Sequence, residues 1–72
     1  MIPIQVECRS GYAYIDRPSA LFWEKHRLEI AKILQRWRTP SGWKFLVQTT
    51  NEQTFEITYD ASLDSWFGQE AG

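Results

Sequence analysis

Apolar and polar residues alternate along two segments in the second half of the chain, residues 43–47 and 55–59. Period-two alternation is typical of a strand with one buried face. For the apolar residues of both segments to share that face, paired positions must have the same parity, which requires an odd-length loop such as residues 50–52. The pattern therefore predicts an antiparallel hairpin.

A Thr-Pro-Ser-Gly sequence at residues 39–42 predicts a turn before this hairpin. Its proline presets φ for a turn, and its glycine can adopt the left-handed conformation of a bulged loop. Pairing Thr39 with Trp43 across the turn places Trp37 opposite Phe45. This register predicts that Trp37 lies on the buried face.

The segment at residues 28–37 fits two structures. As a helix, it places four apolar residues on one stripe: Ile30, Ile33, Leu34 and Trp37. As a strand, it needs a bulge or bend near residues 31–32 to bring its apolar residues onto one face. No capping residue precedes Leu28, which counts against the helix.

The remaining segments complete a barrel-like pattern. Residues 2–8 alternate, and a tight turn at residues 25–26 lets Leu21 and Trp23 pair with Ile30 and Leu28. Asp60 is a candidate N-cap for a short helical turn through Ser65. Residues 68–72 are predicted to be a frayed tail.

Together these elements predict one all-β domain spanning residues 1–72, an antiparallel barrel or rolled sheet of five to six strands with a short C-terminal helical turn. An α+β fold with a helix at residues 28–37 is the alternative. The predicted core is Trp23, Ile33, Trp37, Phe45, Val47, Phe55, Ile57, Tyr59 and Trp66.

Composition adds a location and a charge pattern. Aromatic residues make up 15% of the chain. The only cysteine is Cys8, so we expect a reduced, cytoplasmic setting. We also expect no membrane association, since a membrane-spanning helix needs about 20 consecutive apolar residues. Residues 1–44 contain eight basic and four acidic residues, a net charge of +4; residues 45–72 contain five acidic and no basic residues. The two halves either neutralise each other across the sheet or leave one basic face.

Several short motifs resemble an uncharacterised family of small bacterial all-β proteins, a domain of unknown function, over about residues 2–66. The motifs are Cys8-Arg9-Ser10-Gly11-Tyr12, Arg17-Pro18 followed by Leu21 and Trp23, Arg36-Trp37, and residues 55–60 ending in Trp66. Some members are encoded beside an error-prone DNA polymerase, which implies an association with DNA repair. Relatives have Gly where this chain has Lys25, which leaves the type of that turn open.

Groups suited to catalysis are scarce in the sequence. His26 is the only histidine, Cys8 has no evident histidine partner, and Asp60 and Asp64 lack a third metal ligand. The four glycines are isolated, so no phosphate-binding loop is predicted. We therefore expect no enzymatic activity, no metal site and no cofactor.

Two surfaces are candidates for binding. The predicted register turns Arg36, Arg38 and Lys44 outward and sets Arg38 opposite Lys44, an arrangement suited to a phosphate or to single-stranded or damaged DNA. Phe22 and Phe67 lie beside predicted inward-facing tryptophans and are candidates for contact with a protein partner. We expect a protein-interaction module, including self-association as a mode, with nucleic-acid binding as the alternative.

Overall fold

The computed structural model describes residues 2–8 and 18–71, which form six strands in chain order. The strands are β1 Ile2–Cys8, β2 Pro18–Trp23, β3 His26–Thr39, β4 Gly42–Thr49, β5 Thr54–Asp60 and β6 Ser65–Glu70. Each strand pairs antiparallel with the next, and β1 pairs with β6 to close a barrel. No helix occurs in these residues. The all-β prediction is therefore confirmed, and the alternative helix at residues 28–37 is wrong because those residues belong to β3.

Two strands each pair with different neighbours along their length. Ile2, Pro3 and Ile4 of β1 pair with β6, whereas residues 5–8 pair with β2. Residues 26–29 of β3 pair with β2, and its longer second part, residues 30–39, pairs with β4. The barrel closes because β1 and β3 pass from one sheet to the other.

Two bulges interrupt the pairing of β3 with β4. One lies between Ile30 and Lys32, where the sequence predicted a bulge, and it lets Ile30 and Ile33 pair with residues of the buried face. The second lies between Ile33 and Gln35 and was not predicted. It places Ile33 and Trp37 on opposite faces, although they are four residues apart.

The turn between β3 and β4 contains two residues instead of the predicted three. Thr39 pairs with Gly42, so Trp37 lies opposite Lys44. A register change of one residue reverses the face of every side chain in the segment. The prediction that Trp37 belongs to the core is therefore wrong, and its side chain is 40% exposed.

The hairpin of β4 and β5 has the predicted register. Val47 pairs with Phe55 and Phe45 with Ile57. The Thr49 amide donates to the Gln53 carbonyl oxygen at 2.8 Å, which closes a loop over residues 50–52. The parity of the apolar positions required an odd-length loop, and the observed loop is the three-residue one suggested from the sequence.

The turn between β2 and β3 lies one residue earlier than predicted. Trp23 pairs with His26, and Leu21 pairs with Leu28 instead of Ile30. Glu24 and Lys25 form the turn with φ angles of 50° and 70°. Two successive positive φ angles are typical of a type I′ turn, which matches the twist of a hairpin.

The C-terminal part also differs from expectation. Asp60 accepts hydrogen bonds from the amides of Ser62 and Leu63, as a capping residue does, but residues 61–64 form a non-helical turn instead of the predicted helical one. Residues 68–70, predicted to be part of a frayed tail, pair in β6 with β5. The sequence Gly-Gln-Glu at residues 68–70 has no apolar alternation, so it gave no strand signal.

The core lies between the two sheets. Its buried cluster consists of Leu21, Phe45, Val47, Phe55, Ile57 and Trp66. All of these except Leu21 were predicted. The predicted residues Trp23, Ile33 and Tyr59 are half-buried and pack against the cluster. Trp23 lies 5.2 Å from Phe55, measured between ring centres.

Candidate functional site

Within the described residues, the second part of β3 pairs with another strand on one side only. Beyond Glu29, β3 pairs on one side with β4, and no other described strand pairs with its second side. The two bulges interrupt the strand before Gln35, so residues 35–39 form the regular part of this edge. We call residues 35–39 the free edge of β3.

Apolar side chains are exposed on the outer face beside this edge. Trp37 is 40% exposed, and Leu34, the extra residue of the second bulge, is 45% exposed. Gln35 pairs with the half-buried Leu46 on the same face as Trp37. This apolar surface consists of Leu34, Trp37 and Leu46.

The opposite face of the free edge carries two arginines. Arg36 pairs with Phe45 and Arg38 with Trp43. Their guanidinium carbons lie 5.2 Å and 4.9 Å from the centre of the Trp43 ring, within cation–π range. Trp43 stacks in turn against Phe45, with 6.4 Å between ring centres. The indole therefore holds two like charges near each other, and we call Arg36 and Arg38 the arginine pair.

The arginine pair has no acidic partner in the part of the chain that the structure describes. Salt bridges within those residues join Arg27 to Glu7 at 2.9 Å and Lys44 to Glu56 at 3.3 Å. Five N–H groups on each guanidinium are suited to carboxylate or phosphate oxygens. Anion binding at the arginine pair stays a prediction.

Lys44 does not join the arginine pair. It lies opposite Trp37 on the outer face and forms an ion pair with Glu56, which also accepts a hydrogen bond from Gln69 at 3.2 Å. The predicted pairing of Arg38 with Lys44 is therefore wrong, and the three predicted bases lie on two faces of the sheet. The change of register that exposes Trp37 also separates these bases.

Phe22 and Phe67 lie on either side of β1. Phe67 pairs with Pro3 and Phe22 with Gln5, and both phenylalanines are half-buried. Phe22 lines an open groove of about 580 Å³ together with Glu7 and other residues of β1. Contact of Phe22 and Phe67 with a protein partner stays a prediction.

Cys8, Asp60 and Asp64 are the other candidate residues, and the structure describes the groups around each of them. Burial raises the pKa of the Cys8 thiol, which disfavours the reactive thiolate. A hydrogen bond of 2.6 Å from the Tyr59 hydroxyl to Asp64 raises the pKa of Tyr59. Asp60 caps its turn, so Asp60 and Asp64 have separate partners. Among the described residues, no three side chains of the metal-binding types form a group that could hold an ion.

Sequence reasoning missed Leu34 as part of the apolar surface and Trp43 as the ring that contacts the arginine pair. The adjacent apolar residues Ile33 and Leu34 break the alternation of a strand, which is the signal that a bulge leaves in a sequence. Trp43 was assigned to the core side alone, and the flanking arginines were expected on the opposite face.

Comparison with known proteins finds no matching family and no significant match among curated proteins or solved structures. The resemblance described from the sequence therefore stays a prediction. Within residues 2–8 and 18–71, no helix has the length and apolar character needed to cross a membrane.

Proposed function

We propose that this protein is a non-enzymatic binding module that takes up a protein partner at the free edge of β3. The observation that carries the proposal is the pairing of residues 35–39 with β4 alone among the described strands, beside exposed apolar side chains. An unpaired strand edge offers main-chain N–H and C=O groups to an added strand. Side chains on the two faces then select the partner.

The residue types at this edge support a protein partner. Tryptophan and arginine are enriched in protein interfaces and at the positions that contribute most to affinity. Trp37 is 40% exposed on one face, and the arginine pair lies on the other. An added strand therefore has both an apolar and an ionic surface to contact.

Nucleic-acid binding is the alternative, and two observations make it less favourable. Lys44 lies on the face opposite to the arginine pair and is neutralised by Glu56. Both guanidinium groups lie over the Trp43 ring, which leaves less of that ring for stacking on a base. The arginine pair alone is a small basic patch for a polyanion.

The proposal also includes a cytoplasmic location and an accessory role beside a DNA polymerase. A cytoplasmic protein fits the single free cysteine, which forms no disulfide within the chain. An accessory role beside a DNA polymerase follows from the family resemblance alone. Neither is needed for binding at the free edge.

Site-specific photo-crosslinking tests the proposal. A photoreactive phenylalanine analogue replaces Trp37 in one protein and Leu63 in a control, since Leu63 is 61% exposed in the turn after β5. Each protein is added to a cell extract from the organism that encodes the natural protein, and the mixture is irradiated. We expect a discrete protein adduct from position 37 and none of that size from position 63.

Two results would overturn the proposal. One is an adduct pattern that is the same at both positions. The other is an adduct at position 37 that nuclease removes and protease does not. Replacing Phe22 and Phe67 by the analogue in the same extract tests the other predicted surface.

A further inference from the structure

We propose that the free edge of β3 recognises an extended segment in which acidic and apolar residues alternate. This inference rests on the proposed function and specifies the chemistry of the partner. It follows from the side chains that the free edge presents on its two faces.

Charge is the first argument. Residues 35–39, the free edge of β3, contain Arg36 and Arg38 and no acidic residue. Within the described residues, no salt bridge involves the arginine pair. Carboxylates accept hydrogen bonds from guanidinium groups in a bidentate geometry, so an acidic segment satisfies donors that have no carboxylate partner among the described residues.

Strand geometry gives the alternation. A strand added to an edge lies about 4.8 Å away, and its successive side chains point to the same two faces as those of the edge. Residues beside Arg36 and Arg38 lie on the face of Trp43, and the residue between them lies on the face of Trp37. Acidic side chains two residues apart therefore meet the arginine pair, while the residue between them contacts Trp37.

The same geometry argues against a second copy of β3 as the occupant. Two free edges paired with each other bring four arginines and no carboxylate together. Like charges on neighbouring strands destabilise the pairing. Bulges and basic residues are also features that protect an edge from self-association.

The bulges limit the length of the segment. Gln35 follows the second bulge and Thr39 precedes the turn, so five residues of regular edge are available. A matching segment of about five residues offers a few main-chain hydrogen bonds, each with a modest net contribution. Side-chain pattern therefore decides which segments bind.

A peptide of about seven residues that alternates Glu and Val, with neutral ends and a fluorescent label, is the probe. Three further probes are the same peptide with Lys in place of Glu, the same peptide with N-methylated valines, and labelled oligothymidine. Binding is measured by fluorescence anisotropy at about 0.15 M salt, where distant charges are screened.

The variant Arg36→Gln/Arg38→Gln removes the arginine pair, and Lys25→Gln/Lys32→Gln removes two positive charges outside the free edge. We expect the first to weaken binding of the Glu-Val peptide at least about tenfold, the effect of one lost charge-assisted contact. The second should change it less than about threefold, because those lysines lie outside the free edge. Trp37→Ala should also weaken binding.

The peptide controls separate strand addition from general attraction. We expect no binding of the Lys-Val peptide, because its charges match those of the edge. N-methylated valines should prevent binding through loss of main-chain donors and through steric bulk. Oligothymidine should bind more weakly than the Glu-Val peptide.

Four results of the binding assay would overturn the inference. The Glu-Val peptide does not bind, its N-methylated form binds equally well, both double variants lose the same affinity, or oligothymidine binds more tightly. A wild-type dimer that Trp37→Ala and Arg36→Gln/Arg38→Gln disrupt identifies a second copy as the occupant and also contradicts it. If the peptide fails while Trp37 still gives a specific protein adduct, the partner chemistry is wrong and the proposed function stands.

Discussion

Trp37 lies directly opposite Lys44 across β3 and β4, and both side chains are on the outer face of the barrel. The predicted pairing of Thr39 with Trp43 across a three-residue turn gave the opposite orientation for Trp37. Its position leaves the indole 40% exposed and turns Arg36 and Arg38 toward Trp43. The binding surface proposed for this protein depends on this register.

The exposure of Trp37 gives the first prediction. Trp37→Ala should lower the free energy of unfolding by no more than about 2 kcal/mol, because Trp37 is 40% exposed and lies outside the buried cluster. Phe45→Ala, at a side chain that is 1% exposed, should lower it by about 3–5 kcal/mol. Urea denaturation measures both. Equal losses would show that Trp37 packs inside the barrel.

Backbone strain in the turn between β2 and β3 gives the second prediction. Glu24 and Lys25 have φ angles of 50° and 70°, which side chains disfavour. Lys25→Gly should raise the free energy of unfolding by about 1 kcal/mol, since glycine adopts positive φ without steric cost. Ser41→Gly is the control, because Ser41 lies in a turn without positive φ. This variant should not raise the free energy of unfolding. A loss of stability in Lys25→Gly would contradict the turn geometry.

Gly42 gives the third prediction. Its φ is not in the left-handed region, but a Cβ at this position would collide with the carbonyl oxygen of Tyr59. Gly42→Ala should therefore cost about 1–3 kcal/mol, because backbone must move. Gly68→Ala should cost less, since a Cβ there lies 2.7 Å from the flexible end of the Ile4 side chain. Denaturation curves of the two variants decide the order, and the reverse order would contradict the close approach of β4 and β5.

The acid sensitivity of Asp60 gives the fourth prediction. A hydrogen bond of 2.6 Å from the Ser62 hydroxyl, aided by the amides of Ser62 and Leu63, holds the pKa of Asp60 below its usual value. The carboxylate therefore stabilises the folded state above the unfolded pKa of about 3.9, and this contribution is lost as pH falls through the folded pKa.

Asp60→Asn should reduce the loss of stability measured by urea denaturation between about pH 5 and pH 2. Glu7→Gln is the comparison variant, since Arg27 likewise lowers the pKa of Glu7. Each variant should remove part of the acid dependence. An unchanged pH profile in Asp60→Asn would mean that its carboxylate does not hold the turn.

Particular elements show which features the sequence could predict. The loop between β4 and β5 was predictable because Val47 and Phe55 must share a buried face, which fixes the parity of the register. The bulge near Lys32 was predictable because Ile30 and Ile33 could otherwise not face the same core. In both cases burial on one face determines the local geometry.

The free edge was not predictable in the same way. Near Trp37 the strand extends beyond the buried core, so no burial constraint selects between two registers that differ by one residue. The bulge at Leu34 and the two-residue turn after Thr39 together set the observed register. Likewise the end of β6 has no alternation of apolar and polar residues, so its pairing with β5 was not evident from the sequence.

Amide hydrogen exchange of residues 35–39, with and without the Glu-Val peptide, tests the central claim most directly. Alternate amides of an edge strand point away from its one partner, and no described strand pairs with that side of residues 35–39. These amides should therefore become protected when a strand is added. We predict slower exchange at the amides within Gln35–Thr39 that point away from β4, with Phe22 and Phe67 unchanged. Protection that is absent there, or that appears around Phe22 and Phe67 instead, would contradict binding at the free edge of β3.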